Sequence, residues 1–483
     1  MKNITKNIAS LLLTSLLVFT SCNTDLDINK DPDLLSPDQV PMSAELPAAI
    51  TGIGGATGSY LAIAGGFWSQ YWTQSAVANQ YKVIDDYSLN SSNSLITGFW
   101  FAMYDALTDV KNIKANALSE KNWNYYLIAT TLEVHTSQIL VDIFGSIPYS
   151  EANNTAILNP KFEQPDVVYD KMVADLTEAL GKNFLESPIE NSPGSTDLIF
   201  GGDMDKWKQF ANTLLLKLYM RQSQVRPTIA QNGINALLSS GVEFLSTDAA
   251  ITQFANEDSK SNPLYESDRR QLNVGTNLRA SQTLGGFLSA NSDARLAKYY
   301  NGTTFQVQGN FDEGSSNASV VILTATDPLY FISKSESLFL QAEADVRYGS
   351  GTKAKSLYDE AVNASFSRWN LTSGSLLTGN YAYPNGTSSQ NLKAILTQKW
   401  ISCFPGNGYE AFFEHNRTGI PKKSAISQTS ASYVQGEFAY SVEGKTGGKF
   451  PRRFEYPSTE LQRNSNAPSS IISITEPVWF DLN

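Results

Sequence analysis

The stretch SKSESLFLQAEADVRYGSGTKAKSLYDEAVNASFSRW, residues 333–369, constrains this chain more than any other. It reads as two helices broken at Gly349-Ser350-Gly351. In the first, Leu338, Phe339, Ala342 and Val346 recur at steps of one, three and four, which puts them on one helical face. In the second, Ala354, Leu357, Tyr358, Ala361 and Ser365 do the same. Two glycines around a serine suit a tight turn between antiparallel helices, because glycine accepts the left-handed geometry that ends a helix. Neither helix can bury its stripe alone, so the pair must pack on other pairs.

Small residues on the seams (Ala342, Ala344, Ala361, Ala364) allow close helix approach, as in tetratricopeptide-type hairpins. An ordinary antiparallel pair in any α protein carries the same pattern. Other segments keep the helical period. Residues 123–144 are apolar nearly all round, as a helix buried among others would be. Trp207, Phe210, Ala211, Leu214, Leu215 and Leu218 form the cleanest amphipathic stripe in the chain. Between residues 239 and 321 the pattern weakens into Asn/Ser/Gly-rich sequence with short helical patches, read as a loop-rich insertion. The predicted class is all-α, mainly helical.

The chain has 483 residues, 41% hydrophobic and 17% charged, with 22 Tyr, 24 Phe and 8 Trp, which describes a packed globular protein rather than a disordered one. A net charge of −11 argues against nucleic acid, whose phosphates need basic patches. It also makes anionic polymers poor ligands and leaves neutral ones as the natural candidates.

An export signal opens the sequence. Lys2 and Lys6 precede an apolar core at residues 8–19, too short to span a bilayer, and Phe19-Thr20-Ser21-Cys22 follows. Small residues before a cysteine here look like a bacterial lipobox, in which Cys22 is acylated and becomes the mature first residue. An ordinary signal peptide with an incidental cysteine is the alternative. Losing residues 1–21 removes two lysines and no acid, taking the charge from −11 to −13. The expected organisation is a signal peptide at 1–21, a lipid-anchored tether at 22–42 and one domain at 43–483. Cys403 then remains the sole thiol, on an apolar helical stretch where a buried structural role is expected.

Enzymatic motifs fail one by one. GIGGATG at residues 52–58 lacks the spacing of a phosphate loop, so its glycines are read as close-packing residues. His135 and His415 form no two-histidine metal pair at helical spacing, and no GxSxG elbow is present. The 47 acids include no recognisable glycosidase pair, since two carboxylates about 5–9.5 Å apart cannot be read from sequence. No EF-hand spacing supports a Ca²⁺ site, and no cofactor beyond a lipid on Cys22 is expected.

Five segments carry a family resemblance: Cys22 with DLDINKDPD at 25–33; WKQFANTLLLKLYMR at 207–221; SESLFLQAEADVRYG at 335–349; QKWISCFPGNGYEAFFEHNRTGIP at 398–421; and RRFEYPSTELQRN at 452–464 with the closing Trp479-Phe480-Asp481. In this order they resemble the SusD/RagB family of outer-membrane lipoproteins of Bacteroidetes, in its SusD-like second subfamily. The chain departs from the pattern at Lys217, at His415-Asn416-Arg417 and at Phe480. The resemblance implies four tetratricopeptide-like helix pairs with a loop-rich ligand face. It also implies a lipid-anchored, cell-surface protein without catalysis that binds nutrient, usually glycan, and caps a SusC-like TonB-dependent transporter. A surface glycoside hydrolase, or a helical scaffold without glycan affinity, is the alternative.

Sugar rings present apolar C–H faces and a rim of hydroxyls, so a site for them needs aromatic platforms beside amides, acids or arginines. Loop-rich segments with that mixture make Tyr81, Tyr87 and Tyr265 the expected platforms, with Asp86, Asn90, Arg269 and Asn273 as polar partners. Asn262, Tyr299, Tyr300, Tyr381 and Tyr383 are further candidates. Arg417 and Glu343 are read as packing residues.

Overall fold

A computed structural model describes residues 40–188, 192–272, 275–314 and 316–483. The lipobox with Cys22, nearly all of the expected tether, and Asn273 lie outside the described residues.

Twelve helices of seven residues or more carry the described chain: α1 (Met42–Ala56), α2 (Ala62–Trp68), α3 (Ser94–Glu120), α4 (Trp123–Phe144), α5 (Pro165–Leu180), α6 (Met204–Arg221), α7 (Pro227–Ser240), α8 (Gln282–Ala290), α9 (Lys334–Tyr348), α10 (Ala354–Ser367), α11 (Ser388–Ser402) and α12 (Gly408–Thr418). Local chemistry sets their ends. Asn93, Asp203 and Ser333 cap α3, α6 and α9 by accepting backbone N–H groups, and Thr387 with Gln390 closes a capping box on α11. Gly241 and Gly419, both left-handed, end α7 and α12.

α4 buries every residue except Asn124, as its all-round apolar sequence predicts, and it packs on α3, α5 and α6. α1 lies on α3, α6 on α7, and α9 on both α10 and α11. The run from α1 to α2 is long and apolar enough to cross a membrane by composition, yet two-thirds of it is buried inside this core. A π-turn at Thr57–Leu61 joins α1 to α2. The glycines around it serve contact: a Cβ on Gly65 would stand 2.2 Å from the Tyr409 backbone nitrogen. Six short strands, β1 (Trp72–Gln74), β2 (Ile147–Pro148), β3 (Phe162–Glu163), β4 (Ala249–Ile251), β5 (Leu278–Ala280) and β6 (Leu329–Ile332), pair antiparallel as β1–β5, β2–β3 and β4–β6. They pin loops to the helical frame and form no continuous sheet, so the mainly helical class holds.

Where α4, α6, α9, α11 and α12 converge, charge fills the interior. Lys217 reaches Glu336 at 2.8 Å and Glu410 at 3.0 Å. Arg221 holds Asp142 at 2.9 Å and Glu410 at 2.7 Å, and also pairs with Glu414. Lys399 lies 3.2 Å from Glu414, and Arg417 grips Glu343 at 2.7 Å. Burial alone would raise the Glu414 carboxyl, but Arg417, Lys399 and Arg221 hold it well below the carboxylate range. At Asp142 burial wins, and the carboxyl is pushed up to about 6. Every cation of this seam has a carboxylate partner, as a desolvated charge requires.

Candidate ligand-binding site

The helix pair α9–α10 builds the site with its two ends. β6 delivers Leu329 and Tyr330 immediately before α9 begins at its Ser333 cap. α10 ends in a Schellman motif: Leu371 N–H donates to the Phe366 carbonyl, Asn370 N–H donates to that of Ser367, and Asn370 is left-handed at φ 56°. That turn leaves Arg368, Trp369 and Asn370 beside Tyr330, because an antiparallel hairpin returns to where it started.

These residues line a cavity of about 550 Å³, within the range of small-ligand sites. Thr57, Gly58 and Leu264 close one side, and Pro405, Gly406, Asn407 and Tyr409 another. Trp369 is half-buried, and its ring is backed edge-on by Tyr299 at 5.3 Å, which in turn stacks on Phe404 at 3.9 Å. Over this braced, half-buried indole lies the Arg368 guanidinium, at 5.6 Å. The Arg368 guanidinium lies 3.8 Å over the Tyr330 ring and donates to the Ser402 carbonyl at 3.3 Å. Asn407 donates to the Tyr330 carbonyl at 3.0 Å and fixes the wall. Lys298 and Asn370 are exposed at the rim.

The residues expected from sequence fall elsewhere, with one exception. Tyr81 and Tyr87 are only 5% and 2% exposed, so neither ring offers a platform. Tyr81 packs edge-on against Phe67 at 5.7 Å, and Tyr87 against Tyr440 at 5.4 Å and Phe450 at 6.3 Å. That corrects the expectation for both: the end of α2 draws the Tyr81 ring inward, and a chain segment distant in sequence covers Tyr87. Asp86 is buried, accepts from Ser88 and pairs with Lys445 at 2.6 Å, so its carboxylate is already committed. Exposed Asn90 bonds to Ser88 and Ser92, within its own loop. Tyr265 is half-buried with Arg270 5.6 Å over its ring. Arg269 pairs with Asp268 and donates to the Val321 carbonyl at 2.8 Å; burial lowers its pKa, and the nearby Tyr81 and Tyr265 offset part of that. Tyr81, Tyr265 and Arg269 are therefore brought together, away from the cavity.

Asn262 is the exception. It lines the cavity, caps the turn Pro263–Tyr265 and donates to the Asp327 carbonyl at 2.9 Å. Tyr299, Tyr300, Tyr381 and Tyr383 are buried, although Tyr299 braces Trp369 from behind. Sequence reasoning took Trp369 only as the end of a helix. The usable signal was topological: residues flanking a helix hairpin meet, and a Trp followed by a left-handed Asn marks the junction. Among the described residues, no group of three or more His, Cys, Asp or Glu side chains is placed to hold a metal ion. Cys403 is buried, and burial pushes its thiol up, away from the reactive range.

A family model, SusD-like, described as starch-binding and associating with the outer membrane, matches residues 56–457. Among solved structures, a SusD homologue from Bacteroides uniformis is 23% identical with a TM-score of 0.71, covering 91% of this chain and 99% of its own. A chitin-binding protein is 24% identical with a TM-score of 0.74, covering 92% and 100%. A chitin-binding SusD homologue from Flavobacterium johnsoniae is 20% identical with a TM-score of 0.69, covering 91% and 99%. At these identities the likeness speaks for the fold. Among curated proteins, none matches.

Proposed function

This chain belongs to the SusD-like family, whose members are described as starch-binding and outer-membrane-associated, and on that premise we propose that it is a non-catalytic glycan receptor of the cell surface. It holds an oligosaccharide in the Trp369 cavity and passes it to a SusC-like TonB-dependent transporter. A lipid on Cys22 tethers it to the outer membrane; several acyl chains on one cysteine anchor stably, at about 0.8 kcal/mol per buried methylene.

The observation that carries the reading is the braced Trp369 ring between the Arg368 guanidinium and the Asn370 amide in one cavity. An apolar face stacks on the C–H side of a pyranose while the flanking donors take its hydroxyls. Two of the structural neighbours are described as chitin-binding, which supports a saccharide ligand. Asp327 is the single carboxylate among the described residues lining the cavity, whereas glycoside hydrolysis uses a pair. Its two oxygens already accept from Thr324, one from the N–H at 2.8 Å and one from the hydroxyl at 2.5 Å.

Titration of the purified protein with a panel of hexasaccharides tests the reading. Saturable heat with no increase in reducing ends is the expected result. Release of reducing ends would replace receptor with hydrolase, and silence across the panel, with retained transporter pairing, would leave a scaffold.

A further inference from the structure

The cavity's own charge runs against that of the whole protein. The chain carries −11, yet the charged side chains among the described residues lining the cavity are Arg368, Lys298 and Asp327. Asp327 is committed to Thr324 through both oxygens. Arg368 makes no ion pair among the described residues. The Ser402 carbonyl occupies one of its donors, and a guanidinium has five. Lys298 at the rim likewise has no carboxylate within salt-bridge distance among the described residues. In the buried seam each cation meets a carboxylate. Here two cations share a concave wall with a stacking ring and one carboxylate, Asp327, whose charge its Thr324 hydrogen bonds leave in place, so the lining sums to +1.

We propose that the Trp369 cavity selects saccharides bearing an oxyanion, a carboxylate or a sulfate ester, with Arg368 and Lys298 as its two charge contacts and Trp369 stacking the ring that carries the anion. This rests on the glycan-receptor reading and narrows its substrate class. The Arg368 guanidinium is held 3.8 Å over the Tyr330 ring and by the Ser402 carbonyl, and its remaining donors form the kind of fork that carboxylates and sulfates match. The acidic surface outside slows the approach of a polyanion, so the contacts must be short-ranged and within the cavity. The overall charge pointed to neutral polymers; the local charge reverses that expectation at the one place that matters for binding.

Isothermal titration with four probes tests it: maltohexaose and chitohexaose as neutral ligands, hexagalacturonate for carboxylate, and a carrageenan hexasaccharide for sulfate without carboxylate. At least one anionic probe should bind ten-fold or more tightly than both neutral ones, with affinity falling as salt is raised from 50 to 500 mM. Arg368→Gln and Lys298→Gln should each cut that anionic-to-neutral preference at least five-fold. Lys298 is exposed, so its variant keeps the test valid if Arg368→Gln disturbs the fold, which a thermal melt would report. Neutral probes binding as tightly as anionic ones, with neither variant changing the ratio, overturns the oxyanion proposal and leaves the glycan receptor standing. Binding of none of the four overturns both.

Discussion

Two regions of this protein handle charge in opposite ways. In the seam between α4, α6, α9, α11 and α12, Lys217, Arg221, Lys399 and Arg417 are each matched by carboxylates and shut away from water. At the Trp369 cavity, Arg368 and Lys298 stand unmatched at a surface a ligand can reach. The same helix hairpin serves both, since α9 carries Glu336 and Glu343 into the seam while the segments flanking the pair carry Tyr330 and Arg368 to the cavity. What the difference teaches is a division of labour. The charges of the seam are neutralised within the chain, whereas Arg368 and Lys298 keep theirs at a surface open to a ligand.

The comparison breaks most visibly at Arg417. Replacing it by Gln leaves Glu343 with Arg347 alone and takes one of three cations from Glu414, and unfolding in urea should show a loss of about 3 kcal/mol. A loss under about 1 kcal/mol would mean that water reaches the seam and that the two regions do not differ as described. Of similar size, Tyr81→Ala and Tyr87→Ala should each lower stability by about 3 kcal/mol, as truncations of buried rings, with glycan affinity unchanged. Reduced affinity at full stability would return those rings to the ligand face. Trp369→Ala should do the reverse, weakening glycan binding by about 1–3 kcal/mol while the melting temperature stays within a few degrees. Unaltered affinity in that variant sinks the cavity as the binding site.

Acid gives the smallest net effect and sharpens the picture of the interior. Asp85 and Asp142 are pushed up to about 6 by burial, so the folded state takes their protons first and gains stability as pH falls from about 6 towards 3.8. His135 and His415, both buried and held down to about 3, resist protonation and cost stability as pH falls from 6.5. These opposing slopes leave the melting temperature nearly level between pH 6 and 4.5. Below 4.5 it should drop steeply, because Glu343, Glu410 and Glu414 are held low by their cations and lose those contacts on protonation. A steep fall already between pH 6.5 and 5 would show that the histidines outweigh the aspartates.

How much of this was legible in the sequence follows from where the relevant contacts lie. The all-round apolar run Trp123–Phe144 and the break at Gly349-Ser350-Gly351 are local patterns, and α4, α9 and α10 form where those patterns put them. The stripe from Trp207 to Leu218 likewise marks the buried face of α6. Tyr81 and Tyr87 sit among Asn, Ser and Asp, which locally spells an exposed loop. Tyr81 packs on Phe67 across the turn after α2, whereas Tyr87 packs on Tyr440 and Phe450, more than three hundred residues away, and no local window contains that information. The cavity was hidden for the same reason. Tyr330 and Arg368 lie 38 positions apart and meet only because the helices between them run antiparallel. The rule that sugars need aromatics beside amides ranks Tyr81 and Tyr87 first, and both rings are buried.

Tyr330 and Arg368 stand at opposite ends of a single hairpin and yet touch, so that stretch of wall keeps its shape only while α9 stays stacked on α10, much as the two leaves of a hinge stay flush only while the pin is in place. Loosening the helix pair would part the wall without any lining residue having changed.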